Sequence, residues 1–254
     1  MSWCDKLASV PTVGIMLDWH FSGGSTLWAA FAPILDKEVA SEKPTFVITQ
    51  NEPFSVGFQT DSGFHYAADQ SKVVVGFQHR FRAKQVSGGH PEMEMLSRPM
   101  PFSLLLPSAC ERASEAALLL PGWKTRKIIR VGIVSTTIVD IEDAPPGVGN
   151  FIDYIGRPWG KRVDVFSFQI ITELESAMGW KDRCIHNLTK PEDPEALVTL
   201  SFDWQRTFTS GQVISTASVG SILARARGDA MAYFEDLAEG SRFDENVVSA
   251  TTRT

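Results

Sequence analysis

The sequence predicts an α+β protein built mainly of antiparallel sheet with packed helices. Three observations lead there. Apolar side chains recur at every second position in stretches such as 73–83 and 198–204, the period of a strand with one buried face. Apolar residues recur at three- and four-residue steps in a few well-separated stretches, the period of an amphipathic helix. The strands cluster between those helices without a strict βαβα rhythm, which disfavours a doubly wound parallel sheet.

The first unit begins with Val13, Ile15, Leu17, Trp19 and Phe21, one face of a half-buried strand. Ser22-Gly23-Gly24-Ser25 ends it, and Ser25 can cap the next turn. A helix follows to about residue 40, striped by Leu27, Trp28, Phe31, Ile34, Leu35 and Val39. Residues 45–50 are a short β-branched run, and 54–66 is strand-like around Gly57 with a turn at Asp61-Ser62-Gly63. Over 72–86 one strand places Val73, Val75, Phe77, His79, Phe81 and Ala83 inward and Arg80, Arg82 and Lys84 outward. Pro107 suits a first helical turn, so a helix is expected over 108–120, closed by Pro121-Gly122. The run 125–141 is nearly continuously apolar and reads as a central strand covered on both faces.

Residues 143–162 hold Pro145, Pro146, Gly147, Gly149, Gly156, Pro158 and Gly160 and read as a loop or linker. That divides the chain into an N-terminal subdomain, 1–142, and a C-terminal one, 163–254. Shorter strands are expected over 163–171, near 183–188 and over 196–204, and a long helix over 213–238. No internal repeat recurs at a fixed period, although the order leaves room for a loose duplication of sheet-plus-helix units.

Composition bounds the function. The chain has 254 residues, 43% hydrophobic, and adding 19 Gly brings the apolar share to about half, enough for a sizeable core without disulfide staples. With 24 Lys plus Arg against 30 Asp plus Glu, the net charge of −6 argues against a general nucleic-acid or membrane-surface binder. Three widely spaced cysteines, with no C-x-x-C and no signal-like N-terminus, fit reduced thiols in a cytoplasm.

Familiar chemical templates fail. Gly156–Lys161 has the wrong spacing for a phosphate loop, and Arg162 stands where the magnesium-holding hydroxyl belongs. No G-x-S-x-G and no H-E-x-x-H occurs, so no catalytic residue, metal or cofactor is expected. His79 reads as a core histidine. Weaker candidates remain. Asp18 and His20 share a strand face and could orient an imidazole, while Asp140 and Glu142 could hold a cation at a strand end; together these four would line a pocket between sheet layers. Arg80, Arg82 and Lys84 form a row that could follow a phosphate backbone, although a solvated face suits the net charge better. Phe151, Tyr154 and Trp159 fall in the Gly/Pro-rich stretch and would anchor a partner if exposed, or cap a sheet if folded back. Trp19, Trp28 and Trp204 lie on apolar stripes and are expected in the core.

The order of elements, the central run Arg130-Val131-Gly132-Ile133-Val134-Ser135-Thr136-Thr137-Ile138 and the ending Leu197-Val198-Thr199-Leu200-Ser201-Phe202-Asp203 with a later Phe234-Glu235 carry a resemblance. The chain resembles a sporadically distributed group of uncharacterised bacterial proteins of similar length. It departs from their central pattern at Thr137, where that pattern has Asn. The resemblance implies no activity. It implies a mobile or defence-related gene neighbourhood and a partner protein encoded nearby. These readings converge on a non-enzymatic accessory protein that binds another protein and is compatible with a homo-oligomer. A small-ligand binder or enzyme is the alternative, and a nucleic-acid accessory the third reading.

Overall fold

The computed structural model describes residues 10–19, 24–42, 46–52, 54–84, 92–97, 100–140, 144–156, 165–190, 192, 197–213 and 215–239. The expected α+β class is what it shows. Nine strands build one antiparallel sheet: β1 (Val10–Leu17), β2 (Phe46–Glu52), β3 (Ser55–Thr60), β4 (Phe64–Asp69), β5 (Lys72–Phe77), β8 (Ile128–Val139), β9 (Phe166–Ser176), β10 (Trp180–Lys190) and β11 (Val198–Gln212). Their order across the sheet is β2-β3-β4-β5-β1-β8-β11-β10-β9. A separate hairpin joins β6 (Phe81–Lys84) to β7 (Glu92–Met95). Four helices, α1 (Gly24–Glu42), α2 (Phe102–Leu118), α3 (Pro146–Gly156) and α4 (Thr216–Glu239), complete the described fold.

The two halves repeat one plan. A strand leads into a helix, an antiparallel meander follows whose last strand returns to pair with the first, and a second helix closes the unit. Thus β5 returns to β1, and β11 returns to β8. β1 and β8 then pair with each other and join the halves, with Gly14 directly opposite Gly132. The β6–β7 hairpin is an insertion in the first half.

Alternation sets the core. Val13, Ile15 and Leu17 of β1, Val73, Val75 and Phe77 of β5, Val131 and Ile133 of β8, and Leu200, Phe202 and Trp204 of β11 all point to one side and are buried. On that side α2 lies against β5 and β1, and α4 against β8 and β11. The two helices meet where Phe102 and Phe234 pack edge to face, 5.3 Å between ring centres.

Several expectations are corrected. The strand expected over 72–86 ends at Phe77, where the Gln78 amide bonds back to the Gly63 carbonyl at 2.9 Å. The chain then leaves the sheet, and Phe81 is exposed in the hairpin. The turn at residues 61–63 is present, and Gly63 supplies the left-handed φ of 100° that it needs. The expected helix over 108–120 begins earlier, at Phe102, with Pro107 inside it. A proline within a helix costs about 3 kcal/mol. Burying Phe102, Leu105 and Leu106 returns about 1.5–3 kcal/mol each, which decides the matter. β8 is central, as expected, but covered on one face only, because Val134 and Ile138 on its other face are exposed. Trp19 is 69% exposed, since β1 stops at Leu17 after a register shift.

The stretch 143–162, read as loop or linker, contains α3. Pro146 opens it, and Val148, Phe151 and Ile152 form its apolar stripe against the core. Of its glycines, Gly147 is required by packing and Gly149 is not. A β-carbon on Gly147 would lie 2.6 Å from the Leu237 carbonyl oxygen of α4, whereas one on Gly149 would meet nothing within 4 Å. Gly147→Ala should therefore lose about 1–3 kcal/mol of stability, since backbone would have to move. Gly149→Ala should gain up to about 1 kcal/mol through helix propensity. Urea unfolding of the two single variants checks the pair, and equal effects would show that α3 does not lean on α4 there.

Candidate functional site

The sheet has a second face on which no described helix lies. Its side chains are those that alternate with the core, so the same period that fills the interior also sorts this surface. One row across it runs Gly57, Ala67, Val74, Gly14, Gly132, Gln205, Arg183 and Glu173, each residue directly opposite the next. The next row runs Gln59, His65, Gly76, Thr12, Val134, Asp203, Ile185 and Ile171.

Small residues at the join of the halves leave a trough of about 200 Å³ floored by Gly14 and Gly132. Met16, Val74 and Val134 supply apolar walls, and Lys72, Arg130 and Asp203 supply charge. A polar chain crosses one side. Arg130 Nη1 donates to Gln205 Oε1 at 3.3 Å, and Gln205 Nε2 donates to Asp203 Oδ2 at 2.7 Å. The other oxygen, Asp203 Oδ1, is buried with no hydrogen-bond partner among the described residues. Burial pushes the Asp203 carboxyl above its ordinary value, and the Gln205 bond and Arg130 only partly oppose that. Beside the trough, the His65 imidazole lies on Gly76, where a β-carbon would fall 2.3 Å from its Cε1. Burial lowers the pKa of that imidazole, which favours its neutral form.

The raised carboxyl gives a signed pH prediction. A folded-state pKa above the unfolded value means that protonation favours the fold. That contribution is present below pH about 3.8 and is lost as pH rises through the folded value. Asp203→Asn should therefore melt higher than the parent at pH about 7, with the difference shrinking towards pH about 4. A variant that melts lower at neutral pH would show that the bond to Gln205 outweighs the burial of charge.

The residues singled out by sequence fare differently. Asp18 follows the end of β1, where its carboxylate accepts the Lys127 amide at 3.0 Å and faces the buried Arg126 at 3.5 Å. It ties the end of β1 to the start of β8. Asp140 follows the other end of β8, roughly 35–40 Å away along the ladder, so the two acids do not share a site. His20 and Glu142 lie outside the described residues. The described strands also form one large layer and one hairpin, not two large layers enclosing a pocket.

Arg80, Arg82 and Lys84 are not a row on one sheet strand. Arg80 precedes β6 and pairs with Asp61 at 2.6 Å, Arg82 pairs with Glu94 at 2.8 Å, and Lys84 stands opposite Glu92 across the hairpin. β7 was not anticipated, although Glu92-Met93-Glu94-Met95 is an acidic alternation matching Arg82-Ala83-Lys84. His79 packs edge-on against Phe77, 5.1 Å between ring centres.

Phe151 folds back on Phe168, 5.1 Å between ring centres, and so caps the sheet. Tyr154 is 53% exposed on α3, and Trp159 lies outside the described residues. With Ile170, Thr172, Tyr233 and Leu237, the two phenylalanines line an apolar groove of about 190 Å³ near β9. A wider groove, about 760 Å³, lies between the α2–β8 and β11–α4 connections and carries one titratable side chain, Lys124. Burial pushes the thiols of Cys110 and Cys184 up to about 12 and about 11, which suppresses the reactive thiolate.

The fold and its open face define the chain as an α+β protein with a two-fold repeated plan and a single-sided nine-stranded sheet. No family model, curated protein or solved structure gives a significant match to it.

Proposed function

We propose that the protein is a non-enzymatic accessory subunit that binds another protein through the open face of its sheet. The observation that carries this is the make-up of that face. Val134, Ile138 and Ile171 are exposed there, spread among polar side chains, which is the texture of a docking surface with an apolar centre and polar surroundings. Its charge also selects the partner. Across the eight strands from β3 to β9, Lys72, Arg130, Lys181 and Arg183 are matched by Asp69, Asp203, Glu173 and Glu175. A phosphate backbone needs a surplus of cations, and a protein surface does not. A small-ligand site is the weaker reading: the trough of about 200 Å³ falls below the roughly 300–1,000 Å³ of ligand clefts, and the wider groove of about 760 Å³ has the size but brings a single charged side chain, Lys124, to its described lining.

A cytoplasmic location and a partner encoded nearby belong to the same proposal and rest on cysteine usage and on the resemblance. Among the described residues no helix is long and apolar enough to cross a membrane. The test is co-expression with the neighbouring genes and capture of the tagged chain. A stoichiometric partner should be retained by the parent and by Glu111→Lys on α2, and lost from Val134→Glu/Ile138→Glu. Loss on Tyr154→Ala alone would move the interface to α3. No partner under native conditions, or equal retention by all variants, would remove the proposal.

A further inference from the structure

The two edges of the sheet are built differently. β2 has seven residues and a register shift between Ile48 and Gln50, the kind of irregularity that discourages pairing with another chain. β9 has eleven residues, pairs with β10 in unbroken register from Phe166 to Ser176, and has no strand on its other side among the described residues. It contains no proline and no bulge, and it exposes Ile170, Ile171 and Leu174 on both of its faces.

We infer that β9 is a homodimer edge, pairing antiparallel with β9 of a second copy about a two-fold axis at Ile171. Ile171 is the midpoint of the strand, so this register alone pairs all eleven residues. It sets Ile171 against Ile171, Ile170 against Thr172, Phe168 against Leu174, Gln169 against Glu173 and Ser167 against Glu175. On the helix side Ile170 then meets Thr172 and Phe168 meets Leu174, with Phe166 opposite Ser176 at the strand ends, and no carboxylate faces a carboxylate. A register centred on Glu173 would instead set the Glu173 carboxylates of the two copies directly opposite each other. Glu173 and Glu175 are already compensated within the chain, by Lys181 at 2.7 and 3.4 Å. Leu174 of the second copy, beside Phe168, comes next to the apolar groove that Phe151 and Phe168 line. Two-fold pairing consumes the free edge on both copies, so the assembly closes as a dimer, and the shifted β2 edge does not extend it. The open faces of the two copies become one surface of eighteen strands, twice the nine of each chain.

Sedimentation velocity on the full chain tests this. The parent should be dimeric at about 10 μM, and Ile171→Lys, which sets two ammonium groups opposite each other, should weaken association at least about tenfold. Ile171 is 41% exposed, so the circular dichroism and melting temperature of the variant should match the parent. Ile138→Lys, on the open face away from β9, should remain dimeric. On mild oxidation Ile171→Cys should form a covalent dimer well beyond that of the parent, and Gln169→Cys should not. A parent that is monomeric at about 100 μM, a dimer unchanged by Ile171→Lys, or crosslinking through residue 169 in place of 171 would overturn the inference.

Discussion

Replacing Asp182 with alanine should lower stability by about 3–5 kcal/mol, the cost of stranding a buried cation. Asp182 lies on β10 and accepts Arg206 Nε at 2.6 Å and Nη2 at 2.8 Å, a two-pronged pair between adjacent strands. Its side chain is 5% exposed and that of Arg206 is 12% exposed, so little water is at hand to replace the carboxylate. The Arg206 guanidinium lies 3.9 Å from the centre of the Trp180 ring, which fixes its plane. Arg225 of α4 reaches the same carboxylate at 3.5 Å and links the helix to the sheet. The double variant Asp182→Ala/Arg206→Met should recover much of the loss, because the buried cation goes with its partner and Arg225, which also loses the carboxylate, is half-exposed to water. Denaturant unfolding of the two variants decides: an additive double variant would mean that the residues act independently.

Glu38→Ala should have an effect of similar size, about 3–5 kcal/mol, in the other half. Glu38 of α1 is buried and accepts the Tyr66 hydroxyl at 2.9 Å. Arg112 of α2 forms an ion pair with Glu38, donates to Tyr66 Oη at 2.8 Å and lies 4.2 Å from the centre of the Phe64 ring. One carboxylate thus joins two helices to β4. Burial lowers the pKa of Arg112 and raises that of Tyr66, so losing Glu38 would leave a desolvated cation with neutral partners, the Tyr66 hydroxyl and Ser108 Oγ at 3.3 Å, in place of its buried carboxylate. The exposed pair Lys37–Glu115 joins the same helices and is worth under about 1 kcal/mol. Lys37→Ala is therefore the matched control, and a loss there equal to that of Glu38→Ala would show that helix contact in general, not the buried charge, holds α1 to α2.

Much of the sheet was legible because period-two burial is a local property. The alternation of Val198, Leu200, Phe202 and Trp204 predicts the inward face of β11, and all four are buried. The three- and four-residue steps of Val219, Ile222, Leu223, Ala226, Ala230 and Phe234 likewise predict α4. The trough was not legible. Its floor joins Gly14 to Gly132 across 118 positions, and its polar side adds Asp203 and Gln205 from a third strand. The one local trace was the second face of each strand, where Thr12, Gly14 and Met16, or Ser201, Asp203 and Gln205, alternate with the core.

Length, alternation and helical period, all properties of neighbouring residues, determined that this chain is α+β and which side of each strand is buried. Tertiary structure alone decided the rest: that α3 forms where Pro and Gly suggest loop, that Arg80 and Arg82 meet acids, and that among the described residues one face of a nine-stranded sheet carries no helix. The reason is physical. Helix α3 is held by burial against α4, and the charges of Arg80 and Arg82 are settled by residues 12 to 19 positions away. The open face exists because all four described helices found their apolar partner on the same side.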